Sequence, residues 1–349
     1  MLVGITYDLK EEYLARGYSE EEAAEFDSPA TIEGIETALQ ALGYETQRIG
    51  ALPALAAALL QGRRWDIVFN IAEGCHGFGR ESQVPALLDY YSVPYVFSDP
   101  MTLGICLHKG MTKHIVRDNG IPTADFVVIS DPAEAAAVSL PYPLFVKPVA
   151  EGTGIGVGAA SKVQNPQELA AACARLIDRH RQPVLVETFL CGRELTVGIT
   201  GTGAGARTLG ALEVVFAPAA ESDVYGYVNK AEYLERVQYH LADDADAQKA
   251  RHVALAAWRA LGCRDGGRVD LRFDARGVPN FIEVNPLAGL NPVNSDLPIM
   301  CYKAGLRYEQ LIGQIMESAV ERLKTDTGQR FVPAVTAAAY TGHTGTVAE

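Results

Sequence analysis

The chain has 349 residues, 48% of them hydrophobic and 21% charged, a balance that supports two or three packed domains and excludes disorder over most of the length. Its 43 acidic against 30 basic residues give a formal charge of −13, which argues against a protein built to grip nucleic acid or anionic membrane. No apolar run approaches the ~20 residues that span a bilayer, Met1 leads directly into a strand-like LVGITY, and the six cysteines form no CxxC; together these predict a cytoplasmic protein with reduced thiols.

LVGITYD is a short β-branched run. Asp27-Ser28-Pro29 then offers an N-cap with proline in the first turn of a helix, TIEGIETALQAL. ETQRIG, an Ala-rich helix from about Leu52, DIVFNIA and VPYVFS continue the alternation, which predicts a parallel sheet with helices on its faces. The turn at Ser98-Asp99-Pro100 closes a first domain, 1–98. TLGICLHKGMTKHIVRD reads as a helix ended by Asn119-Gly120, followed by an extended stretch. LFVKPV, a Gly-rich loop, the amphipathic helix PQELAAACARLIDR and VLVETF make a second, smaller α/β unit, 99–190. In a third unit, 191–325, ELTVGITG and TLGALEVVF read as strands and a polar Tyr-rich segment runs to Tyr239. A helix from about Asp243 to Leu261, two more strands and a helix near Tyr308 to Lys324 complete it, and 326–349 form a loosely packed tail.

The most informative stretch is RVDLRF, a turn containing Gly277, and NFIEVN. A hairpin centred between Arg276 and Gly277 sets Asp270 opposite Glu283 and Arg268 opposite Asn285 on one face. Val269, Leu271, Ile282 and Val284 then fall on the other, core face. Two carboxylates facing each other across strands repel unless a cation lies between them. With the Asn285 carbonyl they form a hard-oxygen set suited to Mg²⁺ or Mn²⁺. An ordinary hairpin whose acids are neutralised by Arg268 explains the same residues equally well.

Lys147 ends an apolar strand and is followed by Val149-Ala150-Glu151-Gly152-Thr153-Gly154-Ile155-Gly156. Closely spaced glycines let backbone N–H groups approach an anion, and Thr153 adds a hydroxyl, so Lys147, Glu151, Thr153 and Gly154 are candidates for a phosphate-covering loop. A glycine-rich hairpin tip is the alternative. No Gly-Lys dipeptide occurs, so this is not Walker A. Gly201-Thr202-Gly203-Ala204-Gly205-Ala206 imitates a dinucleotide fingerprint, but a strand follows it where that motif requires a helix, so it reads as a hairpin turn. The histidines show no metal spacing; His76, in the loop EGCHGFGRES, is a candidate to line a site.

In order and spacing, DIVFNIAEG, GRESQVPALLDYYSVPYVFSD, HKGMTKHIVRDNGIPT, LFVKPVAEGTGIGV, LVETFLCGRELTVGI, GGRVDLRFD and FIEVNPLAGL resemble the ATP-grasp superfamily, and within it the D-alanine:D-alanine ligase family. The resemblance implies a three-domain α/β ATP-grasp fold: an N-terminal parallel-sheet domain, a small central α/β domain and a C-terminal α+β domain with an antiparallel sheet. It implies Lys109 and Lys147 on the phosphates of ATP, Glu187 at the adenine amino group with Leu190 nearby, and Glu194 on the ribose. It further implies Asp270, Glu283 and Asn285 as Mg²⁺ ligands, Arg268 on the transferring phosphoryl group, Lys230 in a mobile loop over the triphosphate, and Gly289 as an oxyanion-stabilising N–H. The activity implied is an ADP-forming carboxylate-amine ligase acting through an acyl phosphate, and the assembly implied is a homodimer.

Three segments depart from the family pattern. The N-terminal loop that carries a substrate-anchoring glutamate is replaced by TYDLKEEYLARGYSEEEAAEF, where Asp8, Glu11 or Glu12 are candidate substitutes. Ala231 follows Lys230 in place of the family's tyrosine, with Tyr225, Tyr227 and Tyr233 shifted. The second-substrate loop reads NPLAGLNPVNSDLPIM, with Asn291, Asn294 and Ser295 as candidates for a different acceptor. The expectation is therefore a ligase of small carboxylates and amines other than D-alanine. A genuine D-alanine:D-alanine ligase and a non-catalytic ATP-binding protein are the alternatives.

Overall fold

The computed structural model describes residues 1–216 and 237–326. Lys230, the three displaced tyrosines of its segment and the tail beyond Asp326 lie outside the described residues. Three sheets organise the chain. The first has the order β2-β1-β3 and is parallel throughout, built from β1 (Leu2–Thr6), β2 (Glu45–Gly50) and β3 (Ile67–Asn70). The helix Pro29–Ala41 starts where Ser28-Pro29 predicts, and its buried Ile32, Ile35 and Leu39 pack on Val3, Ile5 and Phe69. The helix Tyr308–Asp326 adds Leu311, Ile315 and Met316 to this core.

VPYVFS, expected as a strand, makes only an isolated bridge from Tyr95 to Val68. Pro94 has no N–H to donate, and Phe97 turns away at φ 77°, its N–H held by the Asp265 carboxylate at 2.8 Å. The single helix expected from TLGICLHKGMTKHIVRD is two, Pro100–Leu107 and Lys109–Asp118. His108 separates them with extended backbone, and its ring accepts the Met111 N–H at 3.2 Å, capping the second helix. That break places Lys109 in the first turn of the second helix.

The second sheet is antiparallel, order β4-β7-β5-β6: β4 (Phe126–Ile129), β5 (Leu144–Pro148), β6 (Lys162–Val163) and β7 (Val184–Thr188). Leu169, Ala172, Cys173 and Leu176 of the helix Pro166–His180 cover one face. The third sheet, order β10-β9-β8-β11-β12, comprises β8 (Glu194–Thr200), β9 (Arg207–Phe216), β10 (Val237–Leu241), β11 (Gly266–Phe273) and β12 (Pro279–Asn285). The Gly201–Ala206 run is the turn between antiparallel β8 and β9, as its strand-like continuation predicts. Alanines 247, 250, 254 and 257 let the helix Ala245–Ala260 lie close on this sheet, with Trp258 wholly buried. The parallel sheet with flanking helices, the small central sheet and the antiparallel sheet match the α/β architecture that the resemblance implies.

Candidate functional site

The hairpin of β11 and β12 has the expected register at its open end: Arg268 pairs with Asn285 and Asp270 with Glu283. Immediately beyond, the ladder shifts, and Leu271 faces Phe281 where regular alternation requires Ile282. Ile282 is the extra residue of a bulge, which leaves consecutive residues on one face. Val269, Leu271 and Val284 are buried as expected, but Phe281 takes the core position assigned to Ile282, and Ile282 turns into the cleft beside Glu283. The cause is tertiary: the Phe281 N–H donates to Pro122 at 2.7 Å and its carbonyl accepts from Thr123 at 2.8 Å, tying this point of the strand to the segment after the helix Lys109–Asp118.

On the site face, the Asp270 carboxylate accepts from Arg268, from the Thr196 hydroxyl at 2.6 Å and from the Asn285 amide at 3.2 Å. Asp296 stands 3.7 Å from Arg268 on the other side. Burial alone would weaken the guanidinium's hold on its proton, but Asp270, Asp296 and Glu283 more than offset it and the pKa is raised. Glu283 reaches Lys109 at 3.3 Å. Lys109 also donates to the Glu151 carbonyl, linking the Gly-rich loop to the hairpin.

The opposite wall of the cleft comes from the second sheet. Lys147 of β5 lies 2.9 Å from Glu187 of β7, and Lys113, one helical turn after Lys109, lies 2.8 Å from the other oxygen of the same carboxylate. Burial would raise the Glu187 pKa, yet the two ammonium groups hold it at about 2. Lys113 is fully buried and its pKa is lowered, because burial outweighs the attraction of Glu187. Both Glu187 oxygens are thus engaged by lysines, so its expected contact with an adenine amino group would be made by a carboxylate already held in place.

Phe145, Ile155, Phe189, Leu190 and Ile282 give the cleft an apolar slot beside this charge network. At its mouth Glu194 pairs with Arg272 at 3.1 Å, while Arg272 and Lys162 lie 5.1 and 4.1 Å from the Phe189 ring centre. Gly154 lines the slot. Gly156 must be glycine: with φ 74°, a Cβ there would stand 2.6 Å from Pro148.

A second chamber adjoins the first through Lys109, Glu151 and Glu283, and Thr153, Arg268 and Gly289 line it. Thr153, expected with the nucleotide, therefore faces this chamber. A side chain at Gly289 would press on Ser295, 2.8 Å away, so only glycine lets this backbone approach unobstructed. Cys106, Leu107 and Leu287 add apolar surface, and one side is acidic: Glu25, Glu73 and Glu81, from the segments after β1 and β3. Parallel strands present their carboxyl ends at one edge, which is why residues so far apart in sequence converge. Arg80 pairs with Glu25 at 2.7 Å and donates to the Ala150 carbonyl at 3.0 Å.

None of the acids suggested by the N-terminal insertion lines this chamber. Asp8 is buried, accepting from Tyr13 and from the Gly74 N–H, and Glu11 and Glu12 are exposed. Glu25, from the same insertion, is the acid that reaches in. Asn291, Asn294 and Ser295 line a groove shared with Thr153, Arg268 and Gly289; there the Asn291 amide donates to Ser28 and Thr31 at 3.1 and 3.2 Å, and Ser295 accepts the Asn291 N–H at 3.0 Å. His76 lies on an outer groove with its ring 3.2 Å from the Tyr18 hydroxyl. Lys113, Phe189, Arg272, Glu73 and Glu81 were not singled out from sequence, although each stands within or beside a motif that was.

Among the described residues, no three His, Cys, Asp or Glu side chains gather as a metal cluster. Asp270, Glu283 and the Asn285 carbonyl are nonetheless the hard-oxygen donors that Mg²⁺ takes when phosphate and water complete its shell, so the donor set fits an ion that arrives with a nucleotide. No helix among the described residues is long and apolar enough to cross a membrane.

Residues 115–317 match the family described as D-ala D-ala ligase C-terminus. A D-alanine–D-alanine ligase from Sinorhizobium fredii is 32% identical over 88% of this chain and 96% of its own length. A D-alanine–D-alanine ligase from Bacillus anthracis, solved in complex with ATP, shares the fold with a TM-score of 0.70 over 93% of this chain and 99% of its own, at 23% identity. A D-Ala:D-Ser ligase from Enterococcus faecalis does so with a TM-score of 0.69 at 19% identity, over 91% of this chain and 99% of its own. This chain belongs to the D-alanine–D-alanine ligase family, ATP-dependent ligases built on the ATP-grasp fold.

Proposed function

We propose that the protein is a Mg²⁺/ATP-dependent ligase that joins a small carboxylate to an amine through an acyl phosphate, and that its carboxylate substrate is not D-alanine. The observation that supports it is the convergence of Arg268, Asp270, Glu283 and Asn285 on one hairpin face opposite Lys109 and Lys147, directly between an apolar slot and a separate polar chamber.

In this reading adenine enters the slot between Phe189, Leu190 and Ile282, Glu194 takes the ribose hydroxyls, and Lys109 and Lys147 meet the phosphates under the loop of Glu151 and Gly154, with Thr153 turned to the second chamber. Asp270, Glu283 and Asn285 would hold Mg²⁺ or Mn²⁺, which supplies charge neutralisation to the triphosphate. Arg268, kept cationic by its acidic neighbours, faces the γ-phosphoryl group as a substrate carboxylate oxygen attacks it and ADP leaves. The amine then attacks the carbonyl carbon, phosphate departs, the amine gives up a proton, and the Gly289 N–H stabilises the oxyanion formed between these steps. Lys230, outside the described residues, completes the phosphate contacts in this scheme.

ATP-dependent phosphate release across D- and L-amino acids, dipeptides and small acids, with hydroxylamine to trap the acyl phosphate, tests the proposal. A hydroxamate from an acid other than D-alanine supports it; none from any acid, with ATP bound, refutes it. A second reading, D-alanine as both substrates, draws on the names of the relatives. Phosphate release with D-alanine alone would favour it.

A further inference from the structure

We infer that the second chamber selects a substrate carrying a cationic side chain, an ammonium or guanidinium, in addition to the single ammonium of a neutral amino acid. The inference rests on the ligase reading for the placement of the substrate carboxylate, and it names the class of that substrate.

The chamber's ionisable groups do not balance. Glu25, Glu73, Glu81, Glu151 and Glu283 line it, against Lys109 and Arg268, with Arg80 behind Glu25. Arg268 is engaged by Asp270, Lys109 by Glu283, and Arg80 by Glu25. Glu151 accepts from Gln182. Glu81 is only 8% exposed, lines the chamber, and makes no hydrogen bond or ion pair among the described residues; Glu73 beside it makes none either. Glu81 is buried and Glu73 half-buried, and carboxylates drawn this far into a protein are ordinarily paired.

Arg80 and Lys109 are the cations, and Glu25 the acid, whose charges act on Glu81. Among the described residues these acids form no cluster of three around one point. Glu25 and Glu283 already have cationic partners, so Glu73 and Glu81 are the carboxyls of this wall left to a ligand, and an amino acid that brings a side-chain cation besides its α-ammonium places a positive group at each. Burial, with the neighbouring acids, pushes Glu73 well up and Glu81 to about 7, which is the cost an arriving cation would relieve.

The test is calorimetric titration of the full chain, loaded with Mg²⁺ and a non-hydrolysable ATP analogue, with D- and L-lysine, D- and L-arginine, and the neutral isostere norleucine. At least one cationic amino acid is expected to bind about tenfold or more tighter than norleucine. Glu73→Gln and Glu81→Gln should each cut that preference about fivefold or more while ATP-analogue affinity stays within about twofold. No preference over norleucine, including failure of all to bind, overturns the inference, as does a preference that both substitutions leave unchanged. Cation-selective binding without hydroxamate from any acid would sink the ligase reading and leave the chamber's selectivity standing. Hydroxamate from a neutral acid without that selectivity would do the reverse.

Discussion

Replacing Glu187 by Gln should destabilise the nucleotide-free protein by ~3–4 kcal/mol, and two routes lead to that figure. The first is proton linkage: holding this carboxyl at about 2 instead of 4.5 corresponds to ~3 kcal/mol favouring the native, ionised state. A depressed carboxyl contributes stability that is fully present above its unfolded pKa and lost as pH falls, here from about 4.5 down through about 2. The second route is the pair itself. Glutamine leaves Lys113, fully buried, with the Thr123 hydroxyl as its remaining close partner and leaves Lys147 without its counter-ion. Removing one member of a buried ion pair costs ~3–5 kcal/mol. Urea unfolding followed by circular dichroism at neutral pH measures the loss, and Lys113→Met in the Glu187→Gln background should recover ~1 kcal/mol or more by removing the orphaned charge. A loss below ~1 kcal/mol for Glu187→Gln, or a further loss on adding Lys113→Met, would refute the reasoning.

Asp270→Asn and Glu283→Gln should each abolish phosphate release at saturating Mg²⁺ while far-ultraviolet circular dichroism stays that of the parent, Asp296 remaining beside Arg268 in the first variant; near-normal turnover in either would defeat the metal-ligand assignment. Glu81→Gln should raise the thermal midpoint of the ligand-free protein at pH 8 and give no gain at pH 4. A carboxyl raised to about 7 costs nothing below its unfolded pKa, destabilises the native state progressively as pH rises from about 4.5 to about 7, and above that by up to ~3 kcal/mol. An equal midpoint shift at both pH values would contradict the assigned cause. Gly156→Ala, forcing a Cβ to within 2.6 Å of Pro148 at positive φ, should raise the KM for ATP at least about fivefold by displacing the loop, and steady-state kinetics with ATP varied decides it.

Much of the fold was open to a reading of local pattern. The period-2 alternation of RVDLRF and NFIEVN is enough to bring Arg268, Asp270, Glu283 and Asn285 to one face, because pleating alone sorts side chains. Pro29 after Ser28, and a strand following the Gly201–Ala206 run, likewise state their own structure. The Ile282 bulge left no such trace: NFIEVN suits an unbroken ladder equally well, and the shift is imposed by Pro122 and Thr123 gripping Phe281 from a distant segment. The break at His108 was also hidden, since an apolar-rich helical pattern runs through it and only the capping contact to Met111 shows where one helix ends.

The sequence by itself determined most of the elements, the register at the open end of the β11–β12 hairpin and the family, since these follow from short-range periodicity and from motifs contiguous in the chain. The tertiary structure alone decided which acid of the N-terminal insertion faces the second chamber, and that Lys113 and Lys147 share one buried carboxylate. Asp8, Glu11, Glu12 and Glu25 are indistinguishable in composition. They differ only in what the parallel strands β1 and β3 bring to their common edge, and such convergence is a property of how elements pack, which no local pattern encodes.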